Sequence, residues 1–301
     1  MSHLGEVLAI TAAVLWAFGG TLFGMAGKRS SALLVNAIRL PCGAILLWFT
    51  WVLMTGTLWP SGFGFREHLW LGLSGVFGLA IGDSFYYKGI MLAGPRRASL
   101  MLAVTPVGAS LLAWPVLGET LDVLAVAGIA VVIGGVSLSV LGHDPGAGEH
   151  RNLPRRQVYR GLACVLVCAV ATAIGNVLAK LGMPGDTPPL AATLVRGLWA
   201  TVGMGLFVAG RPTVWSGLSS LRESRAWRPL AVAIVIGPFI GMWVAVSALK
   251  HTEAGVASVL MNTVPITVLL PAWIFHRDKP SAMSLLGVVV AMAGGAMLFL
   301  R

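Results

Sequence analysis

Short polar clusters punctuate this chain, and between them run ten apolar stretches. They extend from Leu4 to Ala26, Ala32 to Met54, Leu69 to Leu92, Ala98 to Leu117 and Leu121 to Leu141. After a break they resume from Val158 to Leu181, Leu190 to Ala209, Pro229 to Leu249, Ala254 to Phe275 and Ser281 to Leu300. Each is close to the ~20 residues that a tilted helix needs to cross a bilayer. The pattern predicts an all-α integral membrane protein of ten transmembrane helices. The break, residues 142–157 (GHDPGAGEHRNLPRRQ), is the one polar, Pro/Gly-rich linker of note. It separates a first unit, 1–141, from a second, 158–301, within one membrane domain. The first stretch lacks the basic start and cleavage site of a signal peptide, so it is read as a span of the mature protein.

The second unit repeats the first. Displacing the sequence by 159 residues lays Gly78, Ile81 and Gly82 on Gly237, Ile240 and Gly241. The same shift lays Pro106 on Pro265, Trp114 on Trp273, Gly128 on Gly287 and Gly135 on Gly294. Earlier in each unit the shift is slightly shorter, and Gly5, Gly19 and Arg39 fall on Gly161, Gly175 and Arg196. Five spans per unit is an odd number, so the second copy is expected upside down relative to the first. Inverted repeats place a binding site near the midplane and let two arrangements exchange.

Composition agrees: 57% hydrophobic and 11% charged, against roughly 25% charged in soluble domains. The net charge of +10 sits in short loops between apolar runs, so it is orientation charge and not a nucleic-acid surface. Fourteen Lys and Arg fall in the loops of one face and three on the other. The richer face is expected in the cytoplasm, with both termini outside and the linker inside, as in a multi-pass plasma-membrane protein. Cys42, Cys164 and Cys168 all lie inside spans and read as small packing residues; no metal site is predicted.

Five charged residues lie inside the spans: Arg39, Asp83, Lys88, Lys180 and Arg196. Such charges cost roughly 2.5–3.5 kcal/mol each on the insertion scale. Lys88 and Lys180 lie near span ends, where snorkelling to the interface accounts for them. Arg39 and Arg196 are repeat mates, so inherited structural contacts and a ligand role both stand. Asp83 has Met242 as its mate, so symmetry does not account for it. Two readings remain. It pairs with Arg39, or it faces a watery cavity and there binds a cationic or zwitterionic substrate or takes a proton. Tyr86 and Tyr87 follow on the same side of the helix, and aromatic faces beside a carboxylate suit an ammonium.

Further cavity candidates are polar or aromatic residues at mid-span. They are Trp16 and Gly20, Asn176 (the mate of Gly20), Trp243, Thr105, and Asn262 with Thr263. Each alone fits helix packing or a helix–helix hydrogen bond; their shared depth carries the cavity reading. Pro106 and Pro265 occupy matched positions and predict matched bends, suited to rocking between two states. Gly78-x-x-x-Gly82, Gly237-x-x-x-Gly241 and Gly20-x-x-x-Gly24 predict close helix contacts. There is no Walker-type glycine loop and no H-E-x-x-H, so neither ATP use, an ATP-binding subunit nor a metalloprotease is predicted, and no cofactor.

Ten spans in two five-span repeats, with the stretch GDSFYYKGIMLAGPRRASLMLAVTPVGASLLAWPVLGETLD (Gly82 to Asp122), resemble the drug/metabolite transporter superfamily and its EamA-like ten-helix exporters. There a small-residue loop precedes a helix with a central proline, and a Gly-Glu pair precedes the fifth helix. The second copy is looser, with Arg277-Asp278 where the first has Gly118-Glu119. The resemblance implies membrane transport, not an enzyme, with substrates that range over amino acids, nucleosides, sugars and drugs. Small multidrug members carry a proton-binding glutamate in their first span. Here Glu6 lies only near the end of span 1, which leaves Asp83 as the well-placed proton acceptor. The sequence therefore predicts a secondary transporter or facilitator that exports a small polar or amphipathic metabolite. The runners-up are a lipid-linked substrate flippase of the same fold and a non-transporting membrane scaffold. Monomer and homodimer both remain open.

Overall fold

The computed structural model describes residues 3–27, 31–93, 98, 101–102, 104–120, 122–142, 154–211, 214–215, 218, 227–267 and 281–299. Every regular element among them is helical. α1 is Leu4–Gly27 and α2 Ala32–Thr55; the third span joins α3 (Phe65–Gly75), a π-helical segment (Val76–Gly82) and α4 (Asp83–Ala93). α5 is Thr105–Leu117 and α6 Val123–Gly142. In the second half α7 is Arg155–Leu181 and α8 Pro189–Ala209. The eighth span joins α9 (Trp227–Ile234), a second π-helical segment (Val235–Gly241) and α10 (Met242–His251). α11 (Ala254–Met261), α12 (Val264–Thr267) and α13 (Ala282–Phe299) follow.

Among the described residues seven helical stretches are long and apolar enough to cross a membrane: those beginning at Leu4, Leu33, Phe65, Val123, Arg155, Pro189 and Trp227. The other three predicted spans each run into residues outside the description. They are 98–117, 254–275 and 281–300.

The helices are apolar outside and small inside, as a lipid solvent demands. On α2, Ile45, Phe49 and Leu53 lie one turn apart on one stripe, and Leu53 is 83% exposed. On α8, Val202 and Leu206 do the same. The interior holds Ala9, Ala12, Ala13, Ala173 and Ala200, all fully buried.

Glycines set the closest approaches. On α6 and α13, Gly135 faces the Gly287 carbonyl and the Ala291 backbone, and Gly287 faces the Gly135 carbonyl and Ser139. Gly294 in turn faces the Gly128 carbonyl. A Cβ at any of Gly135, Gly287 or Gly294 would come inside 3.0 Å of backbone. The mates Gly128/Gly287 and Gly135/Gly294 thus touch reciprocally, as two copies related by a pseudo-two-fold would. The same relation recurs away from that seam. A Cβ on Gly175 would lie 3.0 Å from the Gly78 Cα, and one on its mate Gly19 would lie 3.6 Å from the Gly237 Cα. Gly82 abuts Thr172, and its mate Gly241 abuts Trp16. The two predicted Gly-x-x-x-Gly faces of the third and eighth spans are therefore contact faces. Gly20 is not: it is exposed, and a Cβ there would meet nothing within 4 Å.

Two features correct the expectation of plain, proline-bent helices. First, the third and eighth spans each contain a seven-residue π-helical segment, at mated positions. π segments widen the helix locally and often accompany function. Second, the prolines restart helices instead of kinking them. Pro106 is the second residue of α5 and Pro265 the second of α12. In a first helical turn proline's missing N–H leaves no bond broken. The chain closes just before each restart with mated three-residue hydrogen bonds, Val104 N to the Met101 carbonyl and Thr263 N to the Leu260 carbonyl, both 3.2 Å.

Candidate functional site

Three polar clusters among the described residues bear on a site. The first joins α1, α2 and α4. Arg39, eight residues into α2, forms an ion pair through Nη2 with Oδ2 of Asp83, the first residue after the π segment. Arg39 Nε donates to Asn36 Oδ1 at 2.7 Å. The guanidinium carbon lies 5.5 Å from the Phe23 ring centroid and 5.8 Å from that of Tyr87. Both charged side chains are largely enclosed, 14% exposed for Arg39 and 27% for Asp83. Of the two sequence readings for Asp83, the pairing is what this structure holds. The Tyr87 ring lies beside the arginine, and the Tyr86 and Tyr87 centroids lie 6.0 Å apart.

The second cluster closes the face that holds the start of α1. Glu119 follows α5, and its Oε1 forms an ion pair with Lys180 Nζ at 2.5 Å. Its Oε2 accepts the Ala254 N–H at 2.8 Å, which caps the first turn of α11 across the two halves. Lys180 Nζ donates to the Thr252 carbonyl at 2.6 Å, and Thr252 Oγ1 donates to Glu6 Oε1 at 3.0 Å. Nearby, Lys250 Nζ donates to the Met183 carbonyl at 3.2 Å and also to that of Gly185. Glu6 and Thr252 are buried. Lys180, near the end of α7, thus finds a carboxylate and a carbonyl just past the ends of two neighbouring helices. Lys88 is exposed. Glu119, Glu6 and Thr252 were not among the residues singled out for a site. The one sequence signal was the Gly118-Glu119 pair, since a carboxylate at a span end has to find donors or water.

The third cluster lies one turn below the second. Asn176 on α7 is buried and donates through Nδ2 to Ser258 Oγ on α11 at 3.0 Å. Asn262 donates to the Ser258 carbonyl at 2.8 Å. The two asparagines predicted to share a depth therefore meet at one serine. Trp16 is half-buried against the Gly241 backbone, 3.0 Å from where a Cβ would stand. Trp243, two residues beyond the second π segment, is half-buried against the cluster of Leu47, Trp51 and Met242. Thr267 Oγ1 donates to the Ala13 carbonyl at 3.2 Å and ties α12 to α1. Thr105 is buried and its hydroxyl has no partner among the described residues.

The predicted site residues thus divide. Asp83, Arg39 and Tyr87 form one group; Asn176 and Asn262 form another. Trp16 and Trp243 lie along the second π segment. Pro106 and Pro265 sit at the two helix restarts.

Comparison with known proteins fixes the family. No curated protein sequence matches the chain. One solved structure, described only as "Crystal structure of protein", aligns over 100% of this chain and 98% of its own, with TM-score 0.76 and 20% identity. At that identity the likeness is one of fold. A family model, the EamA-like transporter family, matches twice, over residues 3–141 and again over 159–300. This multi-pass membrane protein belongs to the EamA-like transporter family.

Proposed function

We propose that the chain is a secondary transporter or facilitator that exports a small polar or amphipathic metabolite by alternating access between two inverted five-helix units. The observation that carries this reading is the seal on the α1-start face. Glu119 and Glu6 from the first half grip Lys180, Thr252 and Ala254 from the second through direct polar bonds. Bonds of that kind break and reform as units rock, whereas the glycine seam of α6 and α13 is built to stay closed. The mated helix restarts at Pro106 and Pro265 give each unit a place to bend. The proposed substrate path runs below the seal, along Trp16, Trp243, Asn176 and Asn262, toward Asp83, Tyr86 and Tyr87. Asp83 is the proposed proton carrier if transport is coupled, with Arg39 as its ion-pair partner.

The test is a tolerance screen. Cells that overproduce the protein are challenged with inhibitory amino acids, nucleobases and their analogues. Raised tolerance to at least one compound, matched by faster efflux of its labelled form, is the expected result. Unchanged tolerance across the panel, with the protein abundant in the membrane, overturns the reading.

Direction rests on orientation. The fourteen-to-three distribution of loop cations supports termini outside and residues 142–157 inside. A reporter fused after Arg301 is expected to behave as periplasmic; strong cytoplasmic fluorescence from a folded fusion reverses the assignment.

A further inference from the structure

Arg196 on α8 is the repeat mate of Arg39, and it has kept the charge without the company. Around Arg39 stand Asp83, Asn36, Phe23 and Tyr87. At the equivalent places in the second half stand Met242, Thr193, Ala179 and Val246. None of these carries a negative charge, and the one hydroxyl, Thr193 Oγ1, donates to the Pro189 carbonyl at 2.7 Å. Arg196 is only 5% exposed. Its Nε is buried with no hydrogen-bond partner, and among the described residues no acid pairs with its guanidinium.

The side chain is nevertheless closely held. Its Nη2 lies 3.0 Å from where a Cβ on Gly78 would stand, so the glycine of the first π segment makes room for it. A Cβ there would also lie 3.7 Å from the Gly175 Cα, which puts the guanidinium where the third span meets α7. Both arginines therefore converge on one stretch of the third span. Arg39 meets it at Asp83 and Arg196 at Gly78, five residues apart. Asp83 compensates Arg39, and no acid among the described residues compensates Arg196.

An uncompensated buried charge is strongly unfavourable. A planar guanidinium with free donors is matched by an oxyanion, which it can hold through two parallel bonds. We propose that Arg196 binds an oxyanion group, carboxylate or phosphate, of the transported solute, so that the solute supplies the negative charge the second half lacks. This rests on the transporter reading and narrows it. With Asp83 held by Arg39, recognition begins from the anionic end of the solute and not from an ammonium.

The test uses the purified full-length protein in an uncharged detergent. Its melting temperature is followed against rising sodium benzoate or sodium phosphate, with ionic strength held constant by sodium chloride. Wild type is expected to gain stability with one of the two anions, benzoate marking a carboxylate solute and phosphate a phosphorylated one. Arg196→Met is expected to lose the response while melting no lower than wild type without anion, because it removes a buried unpaired charge. Arg196→Lys keeps the charge without the planar fork, and its response is expected at about tenfold higher anion concentration; should the methionine variant fail to fold, this variant decides. Three results overturn the proposal: a wild type indifferent to both anions, an Arg196→Lys response equal to wild type, or stabilisation only by added phosphatidylglycerol. The transporter reading fails separately, on the absence of solute exchange in proteoliposomes.

Discussion

Asp83→Asn is expected to destabilise the protein, and removal of Arg39 as well is expected to restore most of the loss. The substitution is nearly isosteric, so packing is unchanged and what disappears is charge. Arg39 then keeps Asn36 Oδ1 and the two aromatic faces but no counter-charge. Breaking a buried pair from one side costs roughly 3–5 kcal/mol, because the stranded partner stays desolvated. With Asp83 27% and Arg39 14% exposed, solvent screens part of that, and about 2–3 kcal/mol is expected. Asp83→Asn with Arg39→Gln leaves two neutral amides that can bond to each other, so the double variant should approach wild type. The coupling in such a cycle is the quantity of interest. Thermal unfolding in detergent reads it; an Asp83→Asn variant that melts with wild type removes the ion pair from the account of stability. The same variant tests coupling. If Asp83 also carries the transported proton, pH-driven uptake is lost while exchange at equal pH on both sides continues.

The features legible in the sequence are those that depend on local composition. Ten apolar runs follow from counting apolar residues, and the mated glycines mark contact faces because only glycine admits backbone to backbone. Gly135 with Gly287 and Gly175 with Gly78 turn out to touch in pairs. The unread features depend on partners or on a subtle change of helix winding. VFGLAIG and VIGPFIG look like ordinary helix, and nothing in their composition marks a π turn. Pro106 and Pro265 are mates in the sequence, but sequence alone does not distinguish a kink from a restart. That depends on whether the preceding turn remains α-helical. The partner of Lys180, Glu119, lies in the other half of the chain, so local sequence does not pair them. The isolation of Arg196 was invisible for the same reason, since an absent partner shows only when every neighbour is known.

The symmetry is broken in the two places where charge matters. Asp83 faces Met242 across the repeat. Lys180 has Gly24 as its mate, so that cation is not repeated in the first half. Asp278, the mate of Glu119, lies outside the described residues. On the proposed alternating access, one-sided charge would give the two arrangements unequal energies, as an asymmetric cycle needs.

Glu119→Ala is therefore expected to open the α1-start face. It removes the counter-charge of Lys180 and the acceptor of the Ala254 N–H together, leaving Lys180 with only the Thr252 carbonyl. The hydrogen bond from Ala254 to the charged carboxylate alone contributes about 1.5–3 kcal/mol, so the open arrangement should gain roughly ten- to a hundredfold in population. Ser258 reports it, being fully buried one turn below Ala254 and bonded to Asn176. In a background with Cys42, Cys164 and Cys168 replaced by alanine, Ser258→Cys should resist a membrane-impermeant thiol reagent applied from the α1-start side. Adding Glu119→Ala should raise its labelling rate by the same ten- to a hundredfold. Glu119→Gln keeps an acceptor for Ala254 but no charge, so its rate should fall between the two. Glu119→Leu with Lys180→Met replaces the pair with apolar surface, and it should seal the face as well as wild type or better while slowing transport. A labelling rate indifferent to all three changes would mean that the cluster is a fixed brace and that the units move elsewhere.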